Sequence, residues 1–178
     1  KILRQYVGER ILDLLLYSPY KVIERKKSTS LRSSSPGEIV TVKIEVIEKN
    51  IKKNYFNRKI PSKIICFGLN NDINQRLDLV YFNFYPETLN KIFIIKKKYV
   101  VSGKLEIYNG VCQITHPDYV FPLEKIDEIP SIEPIYKLFI NFNKRKLNKL
   151  IKNSFEYLTE FPEWLSKETI NNLKFLTF

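Results

Sequence analysis

The side chains best placed to do chemistry in this sequence are aromatic and cationic rather than nucleophilic. In Leu77-Asp78-Leu79-Val80-Tyr81-Phe82-Asn83-Phe84-Tyr85, strand alternation puts Leu77, Leu79 and Tyr81 on one face. Phe82 then joins Asp78 and Val80 on the other, and Phe84 extends that row. Phenylalanines beside a charge at a strand end suit stacking on nucleic-acid bases, worth about 1–3 kcal/mol per base. A sheet buried on both faces beneath flanking helices would use the same residues as core. Lys49, Lys52, Lys53, Arg58, Lys59 and Lys63 crowd a second segment, with Tyr55 and Phe56 between them. Lys96, Lys97 and Lys98 form a third cluster. Cations interleaved with aromatics suit phosphate neutralisation with stacking. In a lysine-rich chain the same runs also read as solvated faces.

Catalytic motifs are missing. A phosphate-cradling loop needs Gly-x-x-x-x-Gly-Lys-Ser/Thr, whereas Gly103-Lys104 is followed by Leu105 and Lys98 stands where the first glycine belongs. No Gly-x-Ser-x-Gly elbow is present. The single histidine, His116, has no cysteine or second histidine at metal-ligand spacing. It precedes Pro117-Asp118-Tyr119, which reads as a turn with the imidazole bonded to backbone, or alternatively as a phosphate contact. Asp127 and Glu128 sit in a proline-punctuated segment, where a solvated acidic turn outweighs an acid–base pair. Cys66 and Cys112 fall in apolar strand-like runs and read as inert buried thiols. No metal or cofactor is expected within these residues.

The formal charge of +11 invites a polyanion. The absence of Met and Ala, with heavy use of Lys, Ile, Asn, Phe and Tyr, points to an AT-rich coding sequence that supplies part of that charge. The missing initiator methionine leads us to expect a fragment trimmed at least at its front, from an expressed piece or a truncated gene. With 44% hydrophobic residues the chain can build a core without disulfides. Its longest apolar run, residues 14–17, stops at Pro19, so no membrane span is expected. No secretory leader pattern opens the chain, which makes a cytoplasmic location the expectation.

The elements that must position these groups follow from periodicity. Residues 9–17 carry Ile11, Leu12, Leu15 and Leu16 at helical spacing, ended by Pro19. A serine-rich connector, residues 26–35, closes on the Pro36-Gly37 turn. Val40, Val42, Ile44 and Val46 then alternate as a first strand. A second strand spans residues 64–69, a third 77–84, a fourth 98–107 and a fifth 111–115; Asn109-Gly110 marks a hairpin. Between the third and fourth, residues 86–93 read as a short helix with proline in its first turn. This is the order of a five-stranded Greek-key OB barrel, although other small β domains share the strand count. Residues 122–134 read as a strap. A helix opening near Asn143 presents Leu147, Leu150, Ile151, Phe155 and Leu158 on one face, and a second helix is expected over residues 163–173. The predicted fold is mainly β with flanking helices: an N-terminal helix and connector (1–35), the OB barrel (36–121), and a strap with a helical segment (122–178).

Leu14-Leu15-Leu16-Tyr17-Ser18-Pro19, Glu24-Arg25, Pro36-Gly37, Tyr81-Phe82-Asn83-Phe84, Val101-Ser102-Gly103-Lys104, Thr115-His116-Pro117-Asp118-Tyr119, Ile132-Glu133-Pro134-Ile135-Tyr136 and residues 146–151 form an ordered set of segments. Together they resemble the N-terminal wedge region of RecG helicases. The resemblance implies a wedge at the branch point of DNA, in a monomeric bacterial, nucleoid-associated helicase that remodels stalled replication forks and Holliday junctions in repair and recombination. The parent enzyme's ATP and Mg would belong to a motor beyond these residues. The resemblance also implies a base-stacking aromatic at Phe82, with a second family position falling on Pro86 beside Tyr85. The sequence departs from the family at Asn70–Gln75, where a glycine-rich turn is usual, and at Ile94-Ile95-Lys96, where Pro-Gly is usual. Two other readings stand beside this one. One is a generic OB module for single-stranded nucleic acid; the other is a protein-interaction domain whose charge is a coding bias.

Overall fold

The computed structural model describes residues 2–26, 29–52, 60–137, 143–157 and 166–173. In chain order the elements are α1 (Ile2–Tyr6), α2 (Ile11–Leu15), β1 (Lys21–Glu24), β2 (Ile39–Asn50), β3 (Ser62–Gly68), β4 (Arg76–Tyr81), α3 (Pro86–Ile92), β5 (Lys98–Tyr108), β6 (Val111–Thr115), β7 (Tyr119–Pro122), β8 (Ile132–Ile135), α4 (Lys144–Ser154) and α5 (Lys167–Leu173). Two compact units result. One is Ile23–Glu133; the other combines Lys1–Val22 with Pro134–Phe178.

The larger unit is a closed barrel of mainly β structure. Its strands run in the order β2-β3-β4-β6-β5, and β5 returns to β2. All these pairings are antiparallel except β4 with β6. One long strand closes the ring by serving two partners: β2 pairs with β5 over its first half and with β3 over its second. A register shift between Val46 and Glu48 interrupts the β3-paired half just past the last β5 pair, as a bulge that bends the strand would. At the β5–β6 hairpin, Asn109 and Gly110 both take positive φ, the backbone a tight two-residue turn requires.

The alternation expected of the first strand is observed, with Val40, Val42, Ile44 and Val46 all facing the interior. They meet Ile64, Cys66, Leu77, Leu79, Leu105 and Ile114 from the other strands. Each such aliphatic side chain contributes about 1.5–3 kcal/mol on full burial. Helix α3 plugs one end with Leu89, and Phe93 follows directly; both are fully buried. The Phe93 ring lies between Tyr81 (6.0 Å) and Tyr99 (5.6 Å). The Tyr99 hydroxyl donates to the Ile92 carbonyl and accepts from the Ile94 amide, sealing the helix end. Cys66 and Cys112 are free and buried, and burial pushes the Cys66 thiol up.

Several boundaries differ from expectation. The third strand stops at Tyr81 rather than Phe84, because the β3–β4 ladder ends at the Ser62–Tyr81 pair and Asn83 turns the chain with φ +52°. The segment read as a strap is partly sheet: β7 pairs along β5, a 3-10 turn covers Leu123–Glu128, and β8 pairs with β1. Proline punctuation hid these short strands, since single-strand periodicity does not develop over four residues.

In the smaller unit, Tyr136, Leu147 and Ile151 pack with Leu3, Leu14 and Tyr17. Asn143 caps α4, its side chain accepting from the Lys146 amide. One expectation fails here. Phe155 is exposed because α4 ends at Ser154 and continues as a 3-10 turn, which rotates it off the helical face. The short helix expected within residues 9–17 is present as α2, one turn that buries no residue fully and leaves Ile11, Leu12 and Leu16 exposed. Leu158 and the expected start of the last helix at residue 163 lie outside the described residues. No helix among the described residues is long and apolar enough to cross a membrane, and no group of three or more His, Cys, Asp and Glu among them could hold a metal.

Candidate nucleic-acid interface

The aromatic segment leaves the barrel at the end of β4. Because Tyr81 closes the ladder, Phe82 is the first residue beyond it and is 38% exposed. Asn83 reverses the backbone, so Phe84 does not continue Phe82's row as strand alternation required. Its ring returns to Tyr81 at 5.2 Å, leaving 39% exposed. Tyr85, 73% exposed, precedes Pro86, and its carbonyl accepts the first amides of α3. The strand itself is buried on both faces: Asp78 and Val80 are as inaccessible as Leu77 and Leu79. Burial on both faces therefore holds for β4, and exposure begins where the strand ends.

His116 shapes this turn. It sits at φ +48° directly after β6, the strand parallel to β4. Its amide donates to the Val80 carbonyl at 2.9 Å, and its Nε2 accepts the Phe82 amide at 3.2 Å. The imidazole lies edge-on to Tyr81 at 5.8 Å and 6.2 Å from the Phe82 ring. The expected backbone bond is thus present, and its partner is the residue singled out for stacking. Burial pushes the Tyr81 phenol up, so it stays neutral beneath the turn.

The basic residues divide. Lys52 is exposed, and its amide donates to the Ser62 hydroxyl. Ser62 pairs with Tyr81, so the base of the basic loop adjoins the Phe82 turn. Lys53, Tyr55, Phe56, Arg58 and Lys59 lie outside the described residues. Lys96 and Lys97 are exposed at the turn before β5, with Lys96 at φ +63° and backbone bonds joining the pair to Val46. Lys49 and Lys63 are engaged within the fold. The Lys49 ammonium donates to Asn90 Oδ1 (3.0 Å) and to the Phe93 carbonyl (3.2 Å), tying β2 to the end of α3. Lys63 approaches the buried Asp78 carboxylate at 3.8 Å, which Arg76 also grips at 2.8 Å, and lies 6.0 Å from the Tyr108 ring. Of the acidic pair, Glu128 makes an exposed ion pair with Lys125.

Sequence reasoning missed a buried ion cluster. Arg25, 3% exposed, donates to Glu133 (2.8 Å), Asp118 (2.8 Å) and Ser102 (3.0 Å), and its guanidinium covers the Tyr119 ring at 5.0 Å. Burial works to lower the Arg25 pKa, but the bonds to Glu133 and Asp118 outweigh it and hold the group above its ordinary value. Four segments quoted for the family resemblance, those containing Arg25, Ser102, Asp118-Tyr119 and Glu133, converge here. Each carried a signal as a motif, but no local pattern says that they touch.

A closed five-strand barrel with its helix between the third and fourth barrel strands and an aromatic turn at one end defines an OB-type domain. The chain belongs to the RecG wedge family: the family model for the RecG wedge domain matches residues 1–158. It is 25% identical over 177 residues to the ATP-dependent DNA helicase RecG of Aquifex aeolicus (strain VF5), covering 94% of this chain and 21% of that protein. It is 27% identical over 179 residues to the RecG helicase of Thermotoga maritima, covering 99% of this chain and 22% of that one. A solved structure of RecG bound to a three-way DNA junction shares the fold, with TM-score 0.71 and 22% identity over 98% of this chain and 23% of that chain. The chain thus spans about a fifth of the length of these relatives.

Proposed function

We propose that this chain binds branched DNA and splits strands at the branch point, with Phe82 stacking on the terminal base pair or displaced base. The observation that carries this reading is the Phe82 turn: an exposed phenylalanine just beyond a rigid strand, anchored by His116 and adjoining the base of the basic loop. A stacking group must be exposed yet held, since ordering a mobile side chain on binding subtracts from affinity. The relatives named as DNA helicases, and the related structure holding a DNA junction, support the same substrate class. Of the lysines in the predicted basic clusters, Lys52, Lys96, Lys97 and Lys98 are described, exposed and open to phosphate. Tyr85 is a second exposed aromatic beside the family's second position, and Phe84, as exposed as Phe82, packs against Tyr81.

The same reading makes the chain part of an ATP-dependent helicase that remodels stalled forks and Holliday junctions in repair and recombination. It acts as a monomer in the bacterial cytoplasm at the nucleoid, and its ATP and Mg are used outside these residues. The test measures affinity for fork, duplex and single-stranded DNA at fixed salt, for this chain and for Phe82→Ala. Fork preference that falls by about 5- to 100-fold on substitution supports the wedge role. Equal binding to all three, unaltered by the substitution, overturns it. Tighter binding to single strands than to forks would instead indicate a generic single-strand module.

A further inference from the structure

His116 does more than turn the chain from β6 into β7. Phe82 is the first residue past the β4 ladder, so its amide has no strand partner; His116 Nε2 supplies one. With its own amide on the Val80 carbonyl, His116 holds the chain on both sides of Tyr81. A non-glycine residue at φ +48° is strained by about 1–2 kcal/mol and persists only where its surroundings enforce it. Two features enforce it. Asp118 is bound by the buried Arg25, which is itself tied to Glu133 and Ser102. Pro117 lies close over Gly103, where an added Cβ would stand 3.3 Å from Pro117 Cα and 2.6 Å from Ile114 Cγ2.

We propose that the corner at residues 116–118 is a positioning device for the branch-contacting turn. His116 is the positioning residue that fixes the direction of Phe82, and Arg25 and Gly103 anchor the corner behind it. The inference rests on the stacking role of Phe82. It makes a distinct claim: changing His116 alters which DNA structure is preferred, not how strongly DNA is held in general. The competing role for the exposed ring is direct phosphate contact through Nδ1, which carries the proton while Nε2 accepts.

The experiment compares fork, duplex and single-strand affinity across a salt series for the 178-residue chain and for Phe82→Ala, His116→Phe, His116→Gln and Phe82→Ala/His116→Phe. His116→Phe keeps a ring but loses the acceptor, whereas Gln places a carbonyl oxygen near the Nε2 position. The expected result is a loss of about 2- to 10-fold in fork-over-duplex preference for His116→Phe, the equivalent of one hydrogen bond. Substantial recovery is expected in His116→Gln, and the double variant should be no worse than Phe82→Ala alone. Hydrogen exchange at the Phe82 amide should quicken in His116→Phe. Asp118→Asn, which loosens the corner while leaving His116 in place, should lower the preference in the same direction; it supplies the reading if His116→Phe does not fold. Additive losses in the double variant overturn the proposal. So does a uniform loss on all three DNAs with a salt slope reduced by about one, which marks a phosphate contact. If Phe82→Ala lowers fork preference and neither His116→Phe nor Asp118→Asn does, the positioning role alone fails. If Phe82→Ala changes nothing, the stacking reading fails and takes this inference with it.

Discussion

Replacing Arg25 with methionine removes the guanidinium that serves Glu133, Asp118 and Ser102 while keeping a side chain of similar length in the space. The magnitude follows from the exposure of the partners. The Arg25 and Glu133 side chains are 1% and 7% exposed, so Glu133 cannot regain water where it stands. Removing one member of such a buried pair costs about 3–5 kcal/mol. Asp118 is 45% exposed and rehydrates readily, so its share is about 1 kcal/mol at most. A total near the buried-pair value corresponds to a melting shift of roughly 6–20 °C in a chain of this length. Urea unfolding followed by tyrosine near-ultraviolet dichroism is the assay, since the single tryptophan, Trp164, lies outside Ile23–Glu133. Arg25→Met/Glu133→Gln should recover a large part of the loss, because the stranded charge is gone. The sign with pH is also defined. Without the guanidinium, burial disfavours the charged form of the Glu133 carboxylate, so its folded pKa rises above the unfolded one. Stability from such a group is fully present below the unfolded pKa and is lost as pH rises. The deficit of Arg25→Met relative to the parent chain should therefore shrink as pH falls through the carboxylate range. A single-variant loss under about 1 kcal/mol, or a double-variant loss equal to the sum of the singles, would refute the reasoning.

Three further outcomes are expected. Gly103→Ala should lose about 1–3 kcal/mol in a denaturation curve, because the added methyl meets Ile114 Cγ2 and Pro117 Cα. Lys49→Met should lose about 0.5–1.5 kcal/mol through its two bonds at the end of α3, yet leave the slope of DNA affinity against salt unchanged, which a filter-binding series would show. Glu106 accepts from Thr115 and Gln113, and these bonds hold its carboxyl below the ordinary glutamate value. Its contribution is present above the unfolded value and lost as pH falls through the lowered one, so Glu106→Gln should flatten the acid limb of a stability–pH profile below about pH 4.3.

Much of the barrel was legible from residue order. The period-two run Val40, Val42, Ile44, Val46, the Asn109-Gly110 turn and the proline-started helix at Pro86 carry their structural reasons locally, and each element stands where it was expected. Local signals failed where an element is short or its end is set by a partner. Strand β4 stops at Tyr81 because β3 offers it no further pairing, a fact that Phe82 and Phe84 do not encode. Lys49 and Lys63 looked like their neighbours Lys52 and Lys53, but whether a lysine meets solvent or a carbonyl across the barrel depends on what lies opposite.

Phe82 shows the division most clearly. The sequence by itself determined that an aromatic residue stands at a strand end near cations, and that the surrounding motifs occur in the order found in one family. Strand alternation placed Phe82 in a strand row, whereas the ladder ends one residue earlier. Only the tertiary structure decided that the ring is exposed, that Phe84 packs one side against Tyr81, and that His116, 34 positions later, holds the Phe82 amide. The physical reason is range. Periodicity and turn chemistry act between neighbours in the chain, whereas the grip on Phe82 and the Arg25 cluster join residues brought together only when β4 and β6 run side by side and the barrel closes.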